Sequence, residues 1–390
     1  MNHIQLHPKR DRRLATGHKW IFSNEIAEIK GQPEAGEVVQ VRRTDGHHIG
    51  FAYYHPHSLI AGRILTYERV VPEAAFYSDR IRTALELRTR RYPDANSYRL
   101  VHSEADGLPG LVIDRFNAAV VIQIVCTGAE RHLDWIVAAI EEHLHPETIL
   151  LKNDSGLRVL EGLPQYVKVI KGNEQPDPVD ILEYDVTYRV NLLDGQKTGF
   201  YLDQRENRWN FRQFIRPGDR VLDAFCNDGG FALHAAKAGA TDILAIDSSK
   251  PALERAKVNM ELNGLSGIRF ESHDLMEWLP KQADGAKYDV VNLDPPGFAK
   301  NKKMAGAALK GYYKLHEAAL KVLKPGGILC TATCSHHIDA DRFFDTLLMA
   351  ASAQGREVQL LYRGGQPADH PVLPSMPETQ YLDVFIIRTD

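Results

Sequence analysis

The chain has 390 residues, 44% of them apolar and 25% charged, and a formal net charge of −4. That length exceeds one small core and points to two or three domains, while the balance excludes a disordered chain and gives no global attraction to nucleic acid, so such a partner must be held by local clusters. Four cysteines, Cys126, Cys226, Cys330 and Cys334, fit a reducing compartment and not a disulfide framework.

The amino terminus, MNHIQLHPKRDRR, is basic but lacks the apolar stretch of a secretory signal, and no window approaches a membrane span; the expected location is the cytoplasm, with no membrane partner. Lys9, Arg10, Arg12, Arg13 and Lys19 crowd this start with Asp11 opposing them. Trp20 follows, an aromatic on which a base could stack. The same residues also fit a solvated basic face beside a core tryptophan.

To about Arg69 the pattern is short β-prone pieces (VVQVRR, HIGFAYY, LIAGRIL) cut by Gly, Pro and Asp turns, which predicts a small all-β domain over 1–73. A helix over 75–91, strands YRLVHSE, LPGLVIDRF and AAVVIQIV, an amphipathic helix over 129–144 and strands TILLKN and YVKVI read as an α+β domain over 74–185. GNEQPDPVDILEYD marks the boundary. Over 186–390 strand-like and helical runs alternate, predicting an α/β doubly wound sheet whose ligands bind at the carboxyl ends of its strands.

The first such end reads DAFCNDGGF, residues 223–231, with Asp223, Phe225, Asn227 and Gly229. Its glycine pair allows close backbone approach and the following helix offers unpaired N–H groups. It is not G-x-G-x-x-G, which disfavours a dehydrogenase. The second ends in Asp247, suited to the hydroxyls of a ribose; Ser248 or Ser249 could cap the next helix, and capping is also the bland role for the acid. The third ends in Asp274, able to accept from an exocyclic adenine amine while the backbone of Leu275 faces the ring. The fourth ends in Asp294-Pro295-Pro296-Gly297-Phe298, where two prolines stop the ladder and hold a rigid loop.

These ends describe a pocket for an adenosine-bearing ligand without pyrophosphate contacts. DAFCNDGGF, AIDSSKPALERAKVN, HD, VVNLDPPGF and ATCS resemble, in order, the motifs of S-adenosylmethionine-dependent methyltransferases of the Rossmann-like class. GQKTGFYLDQRENR, residues 195–208, resembles the segment before the methyltransferase core in bacterial 23S ribosomal RNA large-subunit cytosine-5 methyltransferases; EADGLPGLVIDRF resembles their middle domain, and the amino-terminal module their RNA-binding PUA domain. The resemblance implies a multidomain chain, S-adenosyl-L-methionine as cofactor with Lys197, Thr198 and Gly199 added to the strand-end residues that bind it, and ribosomal RNA, naked or in a partly assembled subunit, as partner. It is compatible with a homodimer.

Cys330 and Cys334 fail as a metal pair because a strand sets residues four apart roughly 13 Å from each other. Cys330, inside the apolar run LCTAT, reads as a small buried hydrophobe. Cys334, at its end, matches the family's catalytic cysteine. Thiolate addition to carbon-6 of cytosine makes carbon-5 nucleophilic, and Asp294 can hydrogen-bond the ring nitrogen and exocyclic amine. Many related enzymes carry a second cysteine where this chain has Gly297; the base that removes the carbon-5 proton is then open, His336 or water being candidates. His336 and Lys300 are candidates for lowering the thiol pKa. Two rival readings are methylation of a base nitrogen or another nucleotide, and a non-catalytic RNA-binding assembly factor of the same fold.

Overall fold

The computed structural model describes residues 2–282, 288–299 and 301–390. Period-two burial along the first β-prone runs builds a six-stranded sheet: β1 (His3–Leu6), then, after the short helix α1 (Arg12–Ala15), β2 (Trp20–Phe22), β3 (Ile26–Lys30), β4 (Val38–Arg42), β5 (His48–Tyr54) and β6 (Ile60–Thr66), in the order β2-β6-β5-β4-β1-β3. Every second residue of β4 is buried, so Val39 and Val41 join Ile4, Ile21 and Ile64 in the core.

Helix α2 (Ala74–Arg91) leads to β7 (Ser97–His102), β8 (Leu111–Phe116) and β9 (Ala119–Ile124); α3 (Thr127–Arg131) and α4 (Leu133–Leu144) precede β10 (Thr148–Asn153) and β11 (Tyr166–Lys171). These strands form one sheet in the order β11-β10-β9-β8-β7, sharing a core with α2 and α4. The single helix predicted over 129–144 is two. The backbone leaves helical geometry at His132 (φ −108°, ψ 19°), whose ring stacks on Tyr53 and Tyr77 and whose Nδ1 bonds the Gly128 carbonyl at 2.7 Å. Aromatic packing has overridden a helical period.

A hairpin of β12 (Val179–Glu183) and β13 (Val186–Val190) follows. Packing divides the chain into two compact units: Met1–Leu182, Val190–Leu202 and Ala368–Thr379 form one, and Glu183–Arg189, Asp203–Pro367 and Gln380–Asp390 the other. The all-β module and the central sheet thus share a unit.

In the second unit, α5 (Arg205–Arg212) precedes β14 (Arg220–Ala224), α6 (Gly230–Lys237), β15 (Asp242–Asp247), α7 (Lys250–Leu262), β16 (Ile268–Ser272), α8 (Leu275–Trp278), β17 (Tyr288–Leu293), α9 (Ala305–Val322), β18 (Leu323–Thr333), α10 (Ala340–Ser352), β19 (Val358–Gly365) and β20 (Asp383–Thr389). The order is β16-β15-β14-β17-β18-β20-β19. The first five pair in parallel, as the alternating pattern predicts; β20 runs antiparallel to β18 and β19, a closing pair the alternation does not announce. Leu222, Ile246, Val291, Leu293 and Leu329 fill the sheet's core against Leu315, Leu320 and Leu347, each worth about 1.5–3 kcal/mol of burial. Strand order reverses between β14 and β17, which sets a crevice at their carboxyl ends. Among the described residues no helix is long and apolar enough to cross a membrane.

Candidate active site at the carboxyl edge of the sheet

From β14 the chain turns into α6 through Phe225 (φ +65°), Asn227 (φ +46°) and Gly229 (φ +80°). Two of these left-handed residues carry side chains, at a cost of order 1–3 kcal/mol each, so the loop must be held from outside. Cys226 N–H donates to the Ile246 carbonyl at 3.0 Å, and Asn227 N–H to Asp247 Oδ2 at 3.0 Å. Asn227 Oδ1 is buried without a partner, an acceptor that a ligand's donor would satisfy. A Cβ on Gly229 would stand 3.2 Å from the Cβ of Ala256, so glycine brings α6 and α7 together; one on Gly230 would stand 2.7 Å from Arg208 Cδ. Arg208 cannot yield, because its guanidinium forks onto buried Glu183 at 2.7 and 2.7 Å.

The acids divide into two kinds. Asp223 is fully buried; its oxygens accept from Ala232 N–H and Asn292 Nδ2, each at 2.8 Å, and burial pushes its pKa up to about 6. Its carboxylate supports the loop from inside. Asp247 is partly exposed and accepts from Asn227 N–H and, at 2.8 Å, Ser249 N–H. Ser249, not Ser248, caps α7, so Ser248 stays exposed at the strand end. Asp274 is exposed and caps α8 by accepting from Met276 N–H at 2.9 Å, with Leu275 buried behind it.

Leu293 of β17 pairs with Thr331 of β18, so Asp294 and Cys334 leave the same end of adjacent parallel strands. Cys334 is exposed, whereas Cys126, Cys226 and Cys330 are buried. Burial pushes the Cys330 thiol well up, which keeps it inert. A Cβ on Gly297 would lie 3.5 Å from Cys334 Sγ, so the Pro-Pro-Gly turn runs beside the sulfur. Behind it, buried Tyr312 bonds Thr333 Oγ1 at 2.9 Å and Ser335 Oγ at 3.2 Å, gripping the residues on both sides of Cys334. Phe298 stacks on Tyr312 at 4.7 Å.

Gln204 Nε2 donates to Asp294 Oδ1 at 3.1 Å. Sequence reasoning missed both Gln204 and Tyr312, although Gln204 lies within the quoted LDQRENR, where a buried amide between charged residues is the signal to follow. Partial desolvation lowers the His336 pKa, with His337 adding to it, and its ring sits 5.7 Å from that of Tyr381. Lys300 lies outside the described residues.

Lys197, Thr198 and Gly199 belong to the first unit. Thr198 is buried with its hydroxyl on Asp114, Lys197 lies 4.4 Å over the Tyr201 ring, and Gly199 (φ +150°) leaves room only for Val190 and Phe116 beside it. Of the basic cluster, Lys9, Arg10 and Arg12 are exposed. Arg13 instead pairs with Glu25 at 2.8 Å and lies over Phe22, and Lys19 lies over Tyr67 with its pKa lowered to about 8 by burial and by Arg80. Trp20 is not an open stacking platform: its indole N–H donates to Glu104 at 2.7 Å and its edge meets His18 and Phe22. Among the described residues no group of three His, Cys, Asp or Glu is placed to hold a metal.

Residues 4–67 match the PUA-like domain family, and residues 167–376 the S-adenosylmethionine-dependent methyltransferase family. The ribosomal RNA large subunit methyltransferase I of Shewanella frigidimarina is 38% identical over 99% of this chain and 98% of its own, and that of Pseudoalteromonas translucida 36% identical over 99% and 98%. The crystal structure of SMU.776 complexed with S-adenosylhomocysteine superposes over 100% of both chains with a TM-score of 0.86 at 22% identity, a likeness of fold. Strand-end acids, a strained loop with an unsatisfied acceptor and the parallel sheet fit S-adenosylmethionine as the cofactor. The chain belongs to the ribosomal RNA large subunit methyltransferase I family of S-adenosylmethionine-dependent methyltransferases, with a PUA-like domain at its amino-terminal end.

Proposed function

We propose that this protein methylates carbon-5 of a cytidine in large-subunit (23S) ribosomal RNA through a covalent adduct at Cys334, in the cytoplasm where ribosomal subunits assemble. One observation carries the reading: the exposed cysteine of the chain stands at the end of β18, beside the turn that follows Asp294. The names of the relatives support ribosomal RNA as substrate.

Bound S-adenosylmethionine supplies an electrophilic methyl group on sulfonium. Asn227, Asp247, Ser248, Asp274 and Leu275 hold it, with Phe225 and Gly229 shaping the loop and Asp223 supporting it; Lys197, Thr198 and Gly199 complete the binding segment. The Cys334 thiolate forms a bond to carbon-6, and the displaced ring electrons are stabilised by Asp294 at the ring nitrogen and exocyclic amine. Carbon-5 takes the methyl group, a base removes the carbon-5 proton, and those electrons restore the ring as the sulfur–carbon bond breaks. Exposed Lys9, Arg10 and Arg12 hold RNA phosphates, with Arg13 and Lys19 at the margin of that surface.

The test is Cys334→Ala assayed on ribosomal RNA from cells lacking the protein, with nucleoside mass spectrometry of the product. Loss of 5-methylcytidine with S-adenosylmethionine affinity kept is the expected result, together with covalent trapping of wild type on RNA carrying 5-azacytidine. Full turnover by the variant, or a methyl group on a base nitrogen, overturns the reading.

A further inference from the structure

Gln204 is almost wholly buried at the end of the helical turn Leu202–Gln204. Its Nε2 donates to Asp294 Oδ1 at 3.1 Å and its Oε1 accepts from Asn207 Nδ2 at 2.7 Å. Chemistry decides which end of each amide faces which way. Asn207 Nδ2 also donates to the Gly365 carbonyl at 2.9 Å, and a carbonyl oxygen can only accept, so the nitrogen must stand there. Its second N–H then goes to Gln204 Oε1, which leaves Gln204 Nε2 for Asp294.

The chain of bonds continues outward with the same polarity. Asn207 Oδ1 accepts from the Tyr362 hydroxyl at 3.4 Å, and that hydroxyl accepts from Asn210 Nδ2 at 3.3 Å. Asn210 Nδ2 is fixed in turn by the Glu206 carbonyl at 2.7 Å. Every link therefore delivers an N–H to Asp294 Oδ1.

We propose that Gln204 is a positioning residue that keeps Asp294 Oδ1 a permanent acceptor, so that any proton Asp294 exchanges with the target base is carried on Oδ2. A proton on Oδ1 would face the Gln204 N–H, donor against donor. The inference rests on the reading of Asp294 as the group that meets the cytosine ring. As the thiolate adds to carbon-6, the displaced electrons collect at the ring nitrogen; the Oδ2 proton passes to that nitrogen, leaving a carboxylate and a neutral adduct. The proton returns to Oδ2 when sulfur leaves. Gln204 holds the carboxyl in one rotation through both transfers, and its N–H favours the ionised form.

The experiment compares full-length wild type, Gln204→Leu, the near-isosteric Gln204→Glu and Asp294→Asn in single turnover across pH, with S-adenosylmethionine affinity, KM for RNA and melting temperature measured alongside. Both Gln204 variants should lose roughly tenfold or more in rate with cofactor affinity and KM little changed. The limb of the pH profile that disappears in Asp294→Asn should move to higher pH by about one unit in Gln204→Leu, and further in Gln204→Glu, where two carboxyls share a proton. A Gln204→Glu enzyme matching wild type in rate and profile, while wild type makes 5-methylcytidine, overturns the positioning role alone. A wild-type product other than 5-methylcytidine, or a profile in which Asp294→Asn removes no limb, overturns both this role and the reading beneath it.

Discussion

Gly297 and Cys334 are neighbours across the ends of two parallel strands, with 3.5 Å between a Cβ built on the glycine and the cysteine sulfur. That separation is ordinary contact, so alanine fits and a longer side chain must meet the thiol. It is also close to what a disulfide needs. Gly297→Cys is therefore expected to cross-link to Cys334 under mild oxidation, with methylation lost and then restored by reductant. Persistence of two free thiols by mass spectrometry after oxidation would contradict the geometry.

Tyr312 holds Thr333 and Ser335, which flank the sulfur-bearing residue. Tyr312→Phe removes one hydroxyl and leaves two buried hydroxyls short of a partner, at a cost of about 1–3 kcal/mol. Turnover should fall more than cofactor affinity, because the variant loosens the end of β18 and leaves the loop after β14 alone. Calorimetric binding beside initial rates measures the split.

His316 is buried between Thr346 Oγ1 at 3.0 Å and Thr331 Oγ1 at 2.9 Å, and burial lowers its pKa from 6.5 to about 3. The folded state keeps this ring neutral, while the unfolded chain protonates it below 6.5. The unfolded state thus binds more protons between those values, and stability falls as pH drops, by about 1.4 kcal/mol per pH unit from this residue. His316→Gln should be less stable at pH 7 yet lose less on going to pH 5. Parallel slopes of unfolding midpoint against pH for the two proteins would refute the assignment.

The amino-terminal cations separate by what they touch. Arg12 is exposed and Arg13 is committed to Glu25 and Phe22. Arg12→Glu is expected to weaken RNA binding and reduce its salt slope by about one, whereas Arg13→Ala chiefly lowers the melting temperature. Filter binding at a series of salt concentrations, paired with thermal unfolding, distinguishes the two effects.

Local periodicity alone carries the order of elements here. Period-two burial marks β4, alternation of apolar strands with helices marks β14 through β18, and acids or a cysteine stand where each strand stops, because a strand's end and its capping residues are written in adjacent positions. What no local pattern contains is which distant groups satisfy one another. Asp294 meets Gln204 across 90 positions, Asp223 is turned inward by Asn292 across 69, and Trp20 is drawn to Glu104 across 84. A carboxylate or an indole has the same chemistry in the chain whether it will face a ligand or a neighbour. Only folding, by removing water from some of these groups and demanding a partner for each, decides which remain free to do chemistry.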